Sequence, residues 1–135
     1  VSKWRSDEIV VVAAAGHPLA ERRAGARQLN HATWVLREPG SGTREASDRW
    51  LIPHLTQMEV ELELGSNEAV KRVVAAGLGL GCLSRLAVKE AIAEGWLVEL
   101  ATTLPPMQRT LSIVLHRAKK LGAAAEGFLR HCTTD

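Results

Sequence analysis

Two short loops of this sequence carry hydroxyl, amide and glycine residues where a predicted strand is followed by a predicted helix. The first loop contains Ser41, Gly42 and Thr43, and the second contains Ser66 and Asn67. The first turn of a helix leaves backbone amides unpaired, and the helix dipole adds partial positive charge there. Hydroxyls beside such amides suit a carboxylate, sulfate or phosphate group. The two loops are therefore the candidate binding site for a small anion.

Helix capping is the alternative explanation for both loops, because a serine or asparagine at a helix start can serve as a plain cap. Each loop alone favours capping over ligand binding. Two such loops at the same edge of one sheet make the two explanations equally strong. Arg37 and Arg44 flank the first loop and could supply positive charge to an anion.

The elements that position these loops follow from hydrophobic patterning. Predicted strands cover residues 9–13, 33–36, 60–64, 80–83, 96–100 and 111–115. Predicted helices begin near residues 41, 66, 85 and 121 and alternate with the strands through the middle of the chain. This order predicts an α/β fold with a mostly parallel sheet flanked by helices. In such sheets ligands bind beyond the carboxyl ends of the strands, where both loops fall.

No residue pattern in the sequence argues for catalysis, a metal centre or a cofactor. The glycine-rich run at residues 77–81, GLGLG, follows a helix and precedes a strand, whereas a dinucleotide fingerprint opens a helix. The histidines have no metal-ligand spacing, and His131 beside Cys132 is only a weak metal candidate. Cys82 and Cys132 are predicted to be free thiols, although a single disulfide between them stays open.

The bulk composition is that of one ordinary globular domain without a strong charge bias. The 135 residues are 46% hydrophobic and 24% charged, and the formal net charge is +2 at pH 7. That balance does not indicate a nucleic-acid-binding face, which needs concentrated basic residues. The apolar runs are too short to span a bilayer, so no membrane partner is predicted.

Three motifs resemble, in their order and spacing, the effector-binding domain of LysR-type transcriptional regulators. They are residues 37–44, REPGSGTR; residues 63–70, ELGSNEAV; and residues 74–80, VAAGLGL. The opening strand, followed by GHPL at residues 16–19, is similar to the family's crossover into its second regulatory subdomain. The resemblance covers residues 6–132, and the ordered combination is more specific than any one motif.

The resemblance implies a fold like the type 2 periplasmic binding proteins, in which two α/β subdomains enclose an effector in a cleft. Residues 1–135 would be a partial effector-binding domain, with residues 17–108 as the complete second subdomain. Residues 6–16 and 109–132 would be the crossover strands and carboxyl-terminal helix of a truncated first subdomain. The implied function is sensing of a small, usually anionic metabolite. The implied effector-binding residues are Ser41, Gly42, Thr43, Ser66 and Asn67.

The resemblance also implies partners and a location. Family members are cytoplasmic, form dimers and tetramers, and bind DNA through an amino-terminal winged helix-turn-helix that this sequence lacks. The incomplete first subdomain predicts exposed strand edges and self-association. Two alternatives share the fold: the solute-binding protein of a transporter, and an enzyme. The first would be exported, yet this sequence shows no signal segment, and the second would need a catalytic group in the cleft.

Overall fold

A computed structural model describes residues 2–115 and 121–133. Two compact units divide the chain, a larger unit at Glu8–Met107 and a terminal unit at Val1–Asp7 with Gln108–Asp135. Short 3-10 turns occur at Pro18–Glu21 and Ile52–His54. The strands and α-helices are, in order, β1 (Ser2–Ala14), α1 (Ala26–Asn30), β2 (Thr33–Arg37), α2 (Gly42–Leu51), β3 (Glu59–Leu64), α3 (Asn67–Ala75), β4 (Leu80–Ser84), α4 (Arg85–Glu94), β5 (Leu97–Leu100), β6 (Met107–Ile113) and α5 (Ala123–Thr133).

The sheet of the larger unit has the strand order β3-β2-β4-β1-β5. β2 pairs in parallel with β3 and β4, whereas β1 pairs antiparallel with β4 and β5. Four of these five strands therefore point the same way, and β1 runs against them. The predicted α/β class with a mostly parallel sheet is confirmed. The sequence analysis did not predict that an interior strand, β1, runs antiparallel to its neighbours.

Side-chain alternation along β1 gives the larger unit an apolar core on each face of its sheet. Ile9, Val11 and Ala13 belong to one buried cluster, and Val10 and Val12 belong to the other, because successive side chains of a strand point to opposite faces. Buried residues of α1 and α2 join the first cluster, and those of α3 and α4 join the second. Helices thus cover both faces, and each buried aliphatic side chain contributes about 1.5–3 kcal/mol.

Glycines bring α3 close to the sheet and end the helix. A Cβ atom at Gly81 would lie 2.9 Å from Val74 Cγ2 and 3.1 Å from Val12 Cγ2, so the second core has no room for a larger residue there. Gly77 has a φ of +86° just after α3, a conformation that favours glycine. The glycine-rich run therefore ends a helix and leads into β4, as predicted.

The terminal unit contains the first residues of β1, most of β6 and α5. β6 pairs with β1, and the buried Asp7 carboxylate accepts a hydrogen bond from Arg109 Nε at 2.9 Å. The Trp4 indole N–H donates to the carbonyl oxygen of Cys132 in α5. An open cavity of about 430 Å³ in this unit is almost entirely apolar. Its lining residues are Trp4, Ser112, Ile113, Leu115, Leu121, Ala125, Phe128, Leu129 and Cys132.

The predictions for the first and last strands are wrong at their ends. β1 starts at Ser2 rather than at residue 9, since it pairs with β6 beyond its continuous apolar run. β6 spans Met107–Ile113 rather than 111–115, because its half-buried residues alternate with exposed ones and form no apolar run. The proposal that 17–108 is a complete subdomain stays a prediction, and residues 116–120 of its flanking segment lie outside the described residues.

Candidate functional site

The first helix N-terminus of the candidate site belongs to α2. Ser41 has extended backbone (φ −66°, ψ 138°), and its Oγ accepts a hydrogen bond from the amide of Arg44 at 3.1 Å. Gly40, at φ +95°, makes the turn that brings Ser41 into this position. The exposed Gly42 is the first residue of the helix. Ser41 is therefore a helix cap, as the capping explanation predicts.

Thr43 differs from Ser41 because its hydroxyl has no structural partner. The residue is 8% exposed, and its carbonyl accepts a hydrogen bond from Ser47 Oγ at 2.8 Å. In residues 2–115 and 121–133, the Trp34 indole nitrogen is the only fully enclosed side-chain nitrogen or oxygen without a hydrogen bond. The Thr43 hydroxyl also makes no hydrogen bond to a described residue, so it must reach the surface. It is available to a ligand at the start of α2.

The second helix N-terminus belongs to α3 and is joined to the first. Ser66 Oγ accepts a hydrogen bond from the amide of Ala69 at 3.1 Å, which makes Ser66 a cap as well. The half-buried Asn67 accepts a hydrogen bond at Oδ1 from Arg37 Nη1, at 2.8 Å. Arg37 is the last residue of β2. Ser41, Gly42 and Thr43 therefore lie at the same sheet edge as Ser66 and Asn67, and the Arg37 side chain connects the two loops.

Arg37 is already paired with an acidic neighbour. Its Nε donates to Glu38 Oε1 at 2.8 Å, and only 19% of its side chain is exposed. The hydrogen bond from Arg37, helped by backbone hydrogen bonding, lowers the pKa of Glu38 below its ordinary value. The positive charge at this edge is thus neutralised by a carboxylate that belongs to the chain itself.

Arg44 is occupied by three acceptors of the chain itself. It donates to Asp48 at 3.0 Å, to the Arg37 carbonyl oxygen at 2.9 Å, and to Glu63. Burial lowers the pKa of the Arg44 guanidinium, but the hydrogen bonds that it donates to Glu63 and Asp48 outweigh that effect and leave the pKa raised. Arg44 therefore ties α2 to β2 and β3.

A third helix N-terminus at the same edge escaped the sequence analysis. Ser84 ends β4, is 7% exposed, and accepts a hydrogen bond from the amide of Leu86 at 3.1 Å. The following Arg85 forms ion pairs with Glu99 at 2.7 Å and Glu8 at 3.0 Å. The signal was available, since a serine directly precedes the predicted helix at residue 85.

The larger unit also has a cavity of about 220 Å³ beside β1 and β5. Apolar and charged groups share its walls, and its Trp50 donates an indole hydrogen bond to the Pro105 carbonyl at 2.7 Å. Its lining residues are Glu8, Val10, Val11, Arg23, Trp50, Glu99, Leu100, Ala101, Thr102, Leu104 and Pro106.

The two cysteines differ in burial, since Cys82 is buried and Cys132 is half-buried. Cys82 and Cys132 are free thiols, which agrees with the predicted reduced state. Burial raises the pKa of the Cys82 thiol to about 12. Within the described ranges no three histidine, cysteine or acidic residues are grouped to hold a metal ion. In the same ranges no helix is long and apolar enough to cross a membrane.

The whole chain, residues 1–135, matches the LysR substrate binding domain. HTH-type transcriptional regulator YeiE of Escherichia coli strain K12 is 46% identical over 129 residues, which are 96% of this chain and 44% of YeiE. A RuBisCO operon transcriptional regulator of Acidithiobacillus ferrooxidans is 36% identical over 129 residues, which are 95% of this chain and 42% of that protein. The chain belongs to the LysR family through this domain. It spans less than half the length of these two relatives.

Solved regulatory domains share the fold. The CcmR regulatory domain of Synechocystis PCC6803, in complex with 2-PG, superposes with a TM-score of 0.82 at 32% identity, covering 97% of this chain and 64% of that one. The effector binding domain of QuiR, in complex with shikimate, gives a TM-score of 0.77 at 17% identity, covering 98% and 62%. These matches confirm the periplasmic-binding-protein-like fold class. They also favour a regulator's sensing domain over a transporter's solute-binding protein.

Proposed function

We propose that this chain senses a small anionic metabolite for a cytoplasmic LysR-type transcriptional regulator and is not an enzyme. The observation that carries the proposal is the pair of serine-capped helix N-termini that Arg37 joins through Asn67, with the Thr43 hydroxyl free beside them. Unpaired amides and helix dipoles there favour a negatively charged group. Ser41, Gly42, Thr43, Ser66 and Asn67 are the proposed effector-binding residues.

The ligand of a related structure supports an anion. CcmR, at 32% identity, was solved with 2-PG, which is 2-phosphoglycolate, and this compound carries a phosphate and a carboxylate. Groups of both kinds suit a helix N-terminus. We therefore expect this chain to prefer a compound with at least one phosphate or carboxylate group. The regulator's DNA contacts would come from a separate helix-turn-helix domain, and its subunits would self-associate.

The domain organisation completes the proposal. Residues 17–108 would act as the second subdomain of the sensing domain, with Ser41 and Ser66 on the cleft side. Residues 6–16 and 109–132 would connect it to the first subdomain, which would supply the opposite wall. Effector binding between the subdomains would then change how the full regulator binds DNA.

Thr43→Val separates ligand binding from folding, because the Thr43 hydroxyl holds no described partner whereas its size is kept. We expect 2-phosphoglycolate at about 100 times its dissociation constant to stabilise the wild-type chain by about 2.7 kcal/mol. That is a shift of several degrees in the thermal unfolding midpoint. Thr43→Val should remove most of this shift and leave the midpoint without ligand nearly unchanged.

Thr110→Val is the matched control, since Thr110 is exposed on β6. It should keep the full ligand-induced shift. A ligand-induced shift that survives Thr43→Val and Ser66→Ala alike would show that the two loops are only helix caps. Shikimate and sulfate, tested in the same series, would show whether a phosphate group is needed.

A further inference from the structure

We propose that Glu38 is a specificity-determining residue whose carboxylate competes with anionic effectors for Arg37. The inference rests on the proposed function, since it concerns the same sheet edge. An effector that binds there must replace an anion that the chain already provides. The site would therefore select for anions that bind Arg37 better than a single carboxylate does.

The position of Glu38 between the two loops supports this role. Its amide donates to the Leu64 carbonyl at 3.0 Å, and its own carbonyl accepts from the Ser41 amide at 3.2 Å. A Cβ atom at Gly65 would lie 3.9 Å from Glu38 Oε2, so the carboxylate borders the loop that precedes α3. The Glu38 backbone thus contacts the residue that caps α2, and its carboxylate lies beside the loop that precedes α3.

In this ion pair the Glu38 side chain is more exposed than that of Arg37, so the carboxylate can move away while the guanidinium keeps its position. The Arg37 side chain is 19% exposed and the Glu38 side chain is 43% exposed. Asn67 holds the other end of the guanidinium at 2.8 Å. Among the described residues, Arg37 is the only other residue that donates a hydrogen bond to the Glu38 carboxylate, which also interacts with the backbone of Glu38 itself. A ligand oxygen could replace that carboxylate and keep Arg37 satisfied, because one charge-assisted hydrogen bond would substitute for another.

The competition predicts which ligands succeed. Glu38 is attached to the chain, so it competes at the high effective concentration of an intramolecular partner. A simple monocarboxylate offers Arg37 the same group and gains nothing by exchange. A phosphate dianion offers more charge and more acceptor oxygens, and helix dipoles favour it further. We therefore expect a strong preference for phosphate or sulfate groups over acetate-like ligands.

Isothermal titration with inorganic phosphate and with acetate tests the competition. Glu38→Gln keeps the size of the side chain but removes its charge. We expect it to tighten binding of both anions by about tenfold, with acetate gaining at least as much as phosphate. The matched control is Glu45→Gln, which removes an equal charge from the first turn of α2, where Glu45 pairs with Arg49 on the exposed surface. That control should change either affinity by less than about twofold.

A nuclear magnetic resonance signal reports the exchange directly. The Arg37 Nε–H resonance should move when phosphate is added to the wild type. In ligand-free Glu38→Gln, the chemical shift of this resonance should already differ from that of the ligand-free wild type, because the carboxylate is absent. A purely structural Glu38 would give no phosphate-dependent movement. Glu38→Ala, checked for an unchanged thermal midpoint, should tighten binding as Glu38→Gln does.

The possible results distinguish the two proposals. If Thr43→Val weakens phosphate binding while Glu38→Gln has no effect, the competition is overturned and the effector site stands. Equal tightening by Glu45→Gln would mean a general charge effect, which also overturns the competition. If neither the wild type nor Glu38→Gln binds either anion, both proposals fail.

Discussion

Cys82 shows what full burial does to a nucleophilic side chain. The thiol is fully enclosed in the first core, and burial raises its pKa to about 12. Since the thiolate is the reactive form, the folded protein should protect Cys82 from thiol reagents at neutral pH. In a Cys132→Ser variant, Cys82 is the sole thiol, so labelling should need denaturant. Rapid labelling of that variant without denaturant would contradict the enclosed position.

The same burial links stability to alkaline pH. The folded pKa of Cys82 is raised from 9.0 to about 12. Above pH 9 the unfolded chain loses the proton while the folded chain keeps it, so the Cys82 contribution to stability falls until about pH 12. We expect a slope of about 1.4 kcal/mol per pH unit in that window from this group alone. Cys82→Ala should remove this part of the pH dependence in denaturant titrations.

The buried ion pair between Asp7 and Arg109 should matter far more than its exposed counterpart on α2. The Asp7 side chain is 1% exposed, whereas those of Arg49 and Glu45 are 69% and 71% exposed. Arg109→Met would remove the guanidinium that pairs with the buried Asp7 carboxylate, so it should cost clearly more unfolding free energy than Arg49→Met. Arg49→Met should cost about 1 kcal/mol or less. Equal losses in urea titrations would show that Asp7 is not buried in solution.

At the level of elements, the cap of α3 offers a way to separate stability from anion binding. Ser66→Ala removes the acceptor for the Ala69 amide and should cost about 1 kcal/mol. Ser66→Asp keeps an acceptor there and should restore that stability, but its negative charge should repel an anionic effector. Thermal unfolding with and without phosphate measures both effects. If phosphate binds Ser66→Asp as tightly as it binds the wild type, Ser66 is not part of the anion site.

Local sequence predicts the elements well where capping and periodicity agree. The starts of α2 and α3 follow from Ser41 and Ser66, because each serine precedes a helical apolar pattern. The direction of β1 does not follow, since Val10, Val11 and Val12 suit a buried strand of either direction. The hydrogen bond from Arg37 to Asn67 spans 30 residues of sequence. Only the folded sheet brings those two side chains together, so the sequence could not predict that Arg37 already has a hydrogen-bond partner in Asn67.

At the scale of the whole molecule, exposed apolar side chains predict self-association. Phe128 is 70% exposed and Val114 is 71% exposed in the terminal unit, near its apolar cavity. Burying such surface is favourable, so we expect dimers or larger species by light scattering as concentration rises. Phe128→Ser should shift the population toward monomer. Leu78→Ser, at a residue 55% exposed in the larger unit, is the control and should have little effect. A monomer across the full concentration range would contradict this expectation.

The antiparallel strand inside the sheet sets the order in which the chain can fold. Val11 pairs with Cys82 on one side and with Leu100 on the other, 71 and 89 residues later. During synthesis, this interior strand therefore leaves the ribosome long before either neighbouring strand exists. Closing such long loops delays the decisive contacts, so folding should be slow for a domain of this size. Until β4 has left the ribosome, the valines of β1 have no neighbouring strand to pair with, and chaperones would meet them first.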